Sequence, residues 1–274
     1  MITVVINTLN EAHNIAACIE SVRGFADEVV VCDMHSDDRT VAIAESLGAR
    51  VVYHERTGFV EPARYFAISQ ASHEWVLVLD ADERLTPPLA KKLRELAEDP
   101  KVDVVSFWSL FWYFGDWVRH GVFFSGKWYK FFRKAVYLET YNEDENFVHH
   151  NFRAVQQSPN QVALPSAYHI EHLAYPTIEK YVTKTLGRYA CIEAELMHEA
   201  GQRFRLSKML SKPLLTFIRS YFLSKGYRDG VRGLILSVLY AGFQFLIQAN
   251  LWFLEEAHPT RSSASPTHEP SQLG

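Results

Sequence analysis

Several things are scarce in this sequence, and each shortage removes a class of function. Three cysteines, Cys18, Cys32 and Cys191, are spread over 274 residues. They are odd in number, far apart and without paired spacing. They fit reduced core residues of a cytosolic protein, not a disulfide framework or a thiolate metal centre. Glycine is also thin, at 13 residues. None forms a Gly-x-Gly-x-x-Gly after the first strand or a Gly-Lys-Ser/Thr phosphate loop, which argues against a nicotinamide enzyme and a P-loop ATPase. Any diphosphate would have to be held by metal and arginine. There is no surplus of positive charge: 28 Lys and Arg face 32 Asp and Glu, a net charge of −4. Nothing in that balance points to nucleic acid as a partner. The first residues, Met1 to Val5, carry no basic segment ahead of an apolar one, so they read as a strand of the fold and not as a signal peptide.

What is present is apolar and aromatic, 48% and 14% of the chain, enough for one large domain with an appendage. Apolar runs at 2–8, 27–33, 50–54 and 75–79 have the length of buried strands. Between them lie helical patterns at about 12–23, 40–47 and 62–71. Strands alternating with single helices predict βαβ units and a parallel sheet. Polar residues end three of these strands: Asn7 with Glu11, Asp33, and Asp80 with Asp82. Carboxyl-end groups of parallel strands converge on one crevice. Asp80 and Asp82, read as extended, point the same way, and like charges that close repel unless a cation lies between them. A hard divalent ion with positions left for phosphate oxygens is the simplest such cation. Taken alone, the same acids describe a strand end leading into a helix.

In order and spacing, Thr8-Leu9-Asn10-Glu11 with Asn14-Ile15, Val31-Cys32-Asp33 with Ser36-Asp37-Asp38-Arg39-Thr40, Arg64, and Leu79-Asp80-Ala81-Asp82-Glu83 resemble the donor-binding half of the family 2 glycosyltransferases of GT-A fold. The resemblance covers roughly the first 100 residues and is strongest to the bacterial subgroup that adds sugars to lipopolysaccharide core or related surface glycans. It implies an α/β, Rossmann-like, mostly parallel sheet flanked by helices. It also implies roles: Thr8 and Glu11 beside the nucleoside, Asp33 accepting from the base, Arg64 near base and diphosphate, Asp80 by the ribose or sugar. Asp82 would coordinate Mg²⁺ or Mn²⁺ on the diphosphate. Tyr65 departs from the pattern, where Asn is expected.

Further along, an aromatic stretch at 107–128 supplies core, with one or two rings available to stack on sugar. The segment 127–134, Lys-Trp-Tyr-Lys-Phe-Phe-Arg-Lys, predicts a strand with one basic face. It is either a solvated edge strand protected by lysine or a face turned to a phosphorylated acceptor or the leaving diphosphate. An inverting transfer needs a general base near the acceptor hydroxyl. Asp144, Glu145 and His150 are the candidates; in the resembling subgroup an acid stands where this chain has His150. The other reading of that stretch is an acidic loop. His149, His150, His169 and His172 raise zinc as a minor alternative, though His-x-x-His on an extended stretch faces opposite ways. The resemblance also places a histidine near His172 with a role toward metal or leaving diphosphate.

Residues 204–223 alternate basic and apolar groups as an interfacial amphipathic helix does. Residues 233–254 carry no charge over a spanning length. A span, an interfacial helix and a buried helix all fit; a membrane-associated hairpin that does not cross is the preferred reading. The expected domains are 1–200, with a nucleotide-sugar half at 1–100 and an acceptor half at 101–200, then a helical extension at 201–257 and a disordered tail at 258–274. The expected protein works on the cytoplasmic face of the inner membrane. It moves a sugar from a nucleoside diphosphate sugar, UDP-linked, to a lipid-linked or glycan acceptor, with no nucleic acid partner. A sugar nucleotidyltransferase would carry a Gly-rich N-terminal loop that is missing here. A non-catalytic binding protein on the same fold would bind nucleotide without turnover.

Overall fold

A computed structural model describes residues 1–56, 61–123, 128–140 and 152–257. They fall into two compact units, Met1–Arg119 with Phe123–Pro176, and His120–Val122 with the chain from Thr177 onward. The helical run after Thr177 thus groups with the C-terminal unit, whereas the sequence suggested a boundary near 200.

The first unit opens with β1 (Ile2–Thr8), α1 (Ile15–Ser21), β2 (Glu28–Asp33), α2 (Thr40–Ser46), β3 (Arg50–Tyr53), α3 (Glu61–Ser69) and β4 (Trp75–Asp80). These strands lie in the order β3-β2-β1-β4, all parallel, as the alternation predicted. Their side chains alternate between two apolar layers. Ile2, Val4, Ile6, Leu77 and Leu79 pack with Ile15, Cys18 and Ile19 of α1 on one side. Val5, Val30, Val76 and Val78 pack with Ala63, Ala67 and Ile68 of α3 on the other. Burial on both faces is why these strands read as continuous β-branched runs.

The chain then makes β5 (Glu83–Leu85), α4 (Pro87–Ala97), β6 (Val104–Tyr113), β7 (Asp116–Val118), β8 (Trp128–Arg133), α5 (Lys134–Thr140), α6 (Arg153–Gln156), β9 (Gln161–Ala163) and β10 (His169–Tyr175). The sheet continues β4-β8-β6-β10-β5, with β8 antiparallel to both neighbours. Placement of β8 departs from the reading as a solvated edge strand. It is an interior strand, not an edge, and Phe131 and Phe132 on it are fully buried. Phe131 stacks on Trp75 with ring centroids 4.6 Å apart. Lys130 is buried with them, for a reason found at the site.

The second unit is helical. α7 (Ile178–Tyr181) runs through a π-helical stretch, Val182–Tyr189, into α8 (Ala190–Glu199). α9 (Leu206–Ile218), a turn of π-helix at Arg219–Leu223 and a 3-10 turn at Gly226–Asp229 lead to α10 (Gly230–Ala257). Asp229 accepts from the backbone N–H of His120 at 2.8 Å and pairs with its Nδ1 at 3.0 Å.

Candidate active site

The site is built at the carboxyl ends of β2, β1 and β4. Strand register sets Thr8 beside Asp33 and Asn7 beside Asp80. Asn7 and Thr8 are only 4% and 2% exposed, yet Asn7 Oδ1 and Nδ2 and Thr8 Oγ1 have no hydrogen-bond partner among the described residues. Buried polar groups are ordinarily satisfied, so orphaned ones clustered at adjoining strand ends mark a place where a polar ligand belongs. Asn7 was recognised from sequence only as a strand-ending polar group.

The loops after β1 and β2 are stitched together. Asn10, held at φ 56°, donates its N–H to Ser36 Oγ, and its side-chain Oδ1 accepts from the N–H of Asp37. Asp33 is fully buried, and its carboxylate accepts from Ser36 N–H at 2.8 Å and Ser36 Oγ at 2.6 Å. Glu11 is half-buried at the loop, accepting from Asn14 Nδ2 at 2.7 Å. Asp33 therefore shapes the loop beside the crevice, and Glu11 ties that loop to the side chain of Asn14, just ahead of α1.

At the end of β4 the geometry differs from an extended Asp-x-Asp. The chain turns at Ala81 and Asp82 and enters β5, so the two aspartates have separate surroundings. Asp80 Oδ1 accepts from Arg64 Nη2 at 2.9 Å, and its Oδ2 from Lys130 Nζ at 3.2 Å. Its side chain is still 31% exposed to the crevice. Burial works against its charge, but Lys130, Arg64 and His172 outweigh it and hold the carboxyl well below the ordinary range. Two protein cations thus balance the charge of Asp80.

Lys130 is 3% exposed, and its ammonium also meets Glu83 Oε1 at 2.6 Å and Oε2 at 2.7 Å. Burial alone would lower its pKa; the carboxylates of Asp80 and Glu83 raise it, so the ammonium stays charged. Glu83 accepts from Asp80 N–H at 2.9 Å, closing the turn. Arg84 fastens the same turn to α1 through the carbonyl of Ala81 and Asn14 Oδ1, at 2.8 and 3.2 Å. Sequence reasoning did not find Glu83 or Lys130 as an interior pair. The one available signal was a lysine at a period-2 position flanked by aromatics.

Asp82 meets β10. Its carbonyl accepts from Leu173 N–H at 2.9 Å, and its Oδ1 lies 3.4 Å from His172 Nε2. His172 packs on Phe111 with centroids 5.0 Å apart. Its pKa is raised: burial pushes down, and the carboxylates of Asp82 and Glu83 push up harder. One carboxylate and one imidazole are a donor set that fits Mg²⁺ or Mn²⁺ only if other ligands complete the shell, as diphosphate oxygens do. Among the described residues no group of three or more His, Cys, Asp or Glu is arranged to hold a metal by itself. His169 does not join this set; its Nδ1 lies 3.1 Å from the carbonyl of Ser166. Asp144, Glu145, His149 and His150 lie outside the described residues.

The sequence model of glycosyl transferase family 2 matches residues 3–162, more than half of the chain, a range that takes in the carboxyl ends of β1, β2 and β4 but not β10. The chain belongs to glycosyl transferase family 2. It is similar to an uncharacterised glycosyltransferase of Rickettsia typhi, 27% identical over 259 residues, which span 91% of this chain and 86% of that one. It is also similar to the lipopolysaccharide core biosynthesis glycosyltransferase LpsC of Rhizobium meliloti, 25% identical over 267 residues and 89% of each chain. Glucosyl-3-phosphoglycerate synthase from Mycobacterium tuberculosis, solved with Mn²⁺ and UDP-glucose, aligns over 41% of this chain and 44% of its own. That alignment has 25% identity and a TM-score of 0.36, too low to carry functional inference. As a glycosyltransferase the protein is an enzyme, and the polar crevice at the strand ends is the natural place for its chemistry.

Proposed function

We propose that this glycosyltransferase takes a sugar from a nucleoside diphosphate sugar, UDP-linked, and transfers it with inversion to a hydroxyl of a lipid-linked or lipopolysaccharide-type glycan. The observation that carries the donor reading is the set of orphaned buried atoms on Asn7 and Thr8, between Asp33 and the cation-held Asp80. Neutral donors and acceptors of that kind suit the hydroxyls and edges of a nucleoside. Asp80, immobilised by Arg64 and Lys130, keeps lone pairs for a ribose or sugar hydroxyl. Thr8, Glu11, Asp33 and Arg64 complete the donor side.

Asp82 and His172 would hold Mg²⁺ or Mn²⁺ together with the diphosphate. The ion would supply positive charge where negative charge develops on the departing group. The base that takes the acceptor proton is assigned to Asp144, Glu145 or His150. The acceptor class is supported by the likeness to LpsC, named for lipopolysaccharide core biosynthesis. Attachment to the cytoplasmic face of the inner membrane is supported by the second unit. α9 exposes Leu206, Leu210, Leu214 and Leu215 beside Lys208 and Lys212, and the 226–256 helix is long and apolar enough to cross a bilayer.

The experiment is a thermal-shift and turnover panel of nucleoside diphosphate sugars with Mn²⁺, Mg²⁺ or EDTA. Stabilisation by UDP with Mn²⁺, and transfer that stops with EDTA, are expected. Undiminished transfer in excess EDTA would remove the metal from the mechanism.

A further inference from the structure

We propose that Glu83 and Lys130 are positioning residues that fix the ring of His172, so that its Nε2 faces Asp82 at the mouth of the donor crevice. The inference rests on the donor-site reading above and adds two residues to it. Glu83 is 1% exposed. Its Oε2 accepts from Lys130 Nζ at 2.7 Å and from Asp80 N–H at 2.9 Å, and its Oε1 accepts from Lys130 at 2.6 Å. With three bonds in place the carboxylate cannot rotate. The same Oε1 lies 3.4 Å from His172 Nδ1.

The imidazole is gripped from other directions as well. β10 pairs antiparallel with β5 so that His172 lies directly opposite Glu83, and Phe111 covers the ring. With a cation between Nε2 and Asp82 Oδ1, which lie 3.4 Å apart, the ring proton is left on Nδ1, where Glu83 Oε1 stands. A lone pair and a carboxylate oxygen at that separation repel unless a proton or cation lies between them. Metal-binding histidines are oriented in this way, by a carboxylate on the far nitrogen. A merely structural pair would not need this reach. Arg64 already holds Asp80, and a buried ion pair is a poor source of stability compared with an apolar pair of similar size. The contact to His172 is what the ion pair adds.

The test has two arms. First, the ¹⁵N spectrum of histidine-labelled protein saturated with Mg²⁺ and UDP, assigned by its loss in His172→Asn, reports the tautomer. The Nδ1–H form is expected; the Nε2–H form in the wild-type chain would overturn the proposal without recourse to any variant. Second, Mn²⁺ binding in the presence of UDP is followed by electron paramagnetic resonance in the double variant Glu83→Leu with Lys130→Met, which removes both buried charges together. A folded double variant is expected to bind Mn²⁺ about 10- to 100-fold more weakly, the range for loss of an outer carboxylate. Wild-type affinity in that folded variant would sink the positioning role. Asp82→Asn separates the two levels. Intact Mn²⁺ affinity in Asp82→Asn sinks the metal reading and the positioning role with it; weakened affinity there beside wild-type affinity in the double variant sinks the positioning role alone.

Discussion

Glu28 is a carboxylate that serves the fold and not the site. It accepts from Ser72 N–H and Oγ at 2.9 and 2.8 Å, Thr3 Oγ1 at 2.7 Å and Arg50 Nη2 at 2.7 Å, tying β2 to the segment before β4. Burial alone would raise its pKa, but these donors bring it down from 4.5 to about 2. A carboxylate with a depressed folded-state pKa contributes stability that is complete above its unfolded value and is lost as the pH falls through the folded one. Glu28→Gln should therefore lower Tm at pH 7, with the gap to wild type closing between about pH 4.5 and 2; a constant gap across that window would refute the assignment. Asp82 behaves in the opposite way. It sits on a turn at the crevice, so Asp82→Asn should leave Tm nearly unchanged while transfer falls by at least about 10²-fold, the scale of losing charge stabilisation at a reacting group. Lys130→Ala should instead cost about 3–5 kcal/mol in denaturant unfolding, because it strands Glu83 as a buried charge. A loss under 1 kcal/mol would mean that Glu83 is neutralised in some other way.

Among the elements, the turn from β4 into β5 shows what periodicity conveys and what it omits. The apolar run and its acidic end were legible in the residues, as were the parallel order of the first four strands and the helices between them. The reversal at Ala81 and Asp82 was not, because two aspartates one residue apart read equally well as extended. Only the pairing of β5 with β10 separates them. The helical hairpin of the second unit carries a similar lesson. Gly226 and Gly233 look unremarkable in sequence, but a Cβ on Gly233 would stand 1.9 Å from the carbonyl oxygen of Gly226. Ser220 and Ser237 meet nearby at 2.9 Å. Alanine is worth about 1 kcal/mol over glycine inside a helix. Overlap with a backbone atom that cannot swing away costs about 1–3 kcal/mol. Gly233→Ala should thus destabilise the hairpin, seen as faster amide exchange in α10; slower exchange would show that the backbone yields.

For the molecule as a whole, the second unit leaves apolar side chains in solvent. Leu210 and Leu214 on α9 and Trp252 and Phe253 on α10 are all exposed. Aliphatic groups beside Lys208 and Lys212 match an anionic lipid surface, with the apolar stripe entering the headgroup boundary. Leu210→Glu with Leu214→Glu should abolish flotation with vesicles containing anionic lipid and leave Tm unchanged, since neither residue supports a core. Flotation that survives the pair would assign attachment to α10 instead.

The chain's order of strands and helices, the acids and Asn7 at the strand ends, and the family they belong to are properties of the sequence by itself. Hydrophobic period and the spacing of polar residues along the chain carry them, and both are local quantities. The partners of those acids are not local. Lys130 reaches Asp80 and Glu83 across 50 and 47 residues, because β8 inserts antiparallel between β4 and β6. His172 reaches Asp82 because β10 folds back on β5. A lysine on an alternating strand has the same pattern whether it faces water or a buried carboxylate. Strand neighbours set the dielectric around it, and only the tertiary structure chooses those neighbours.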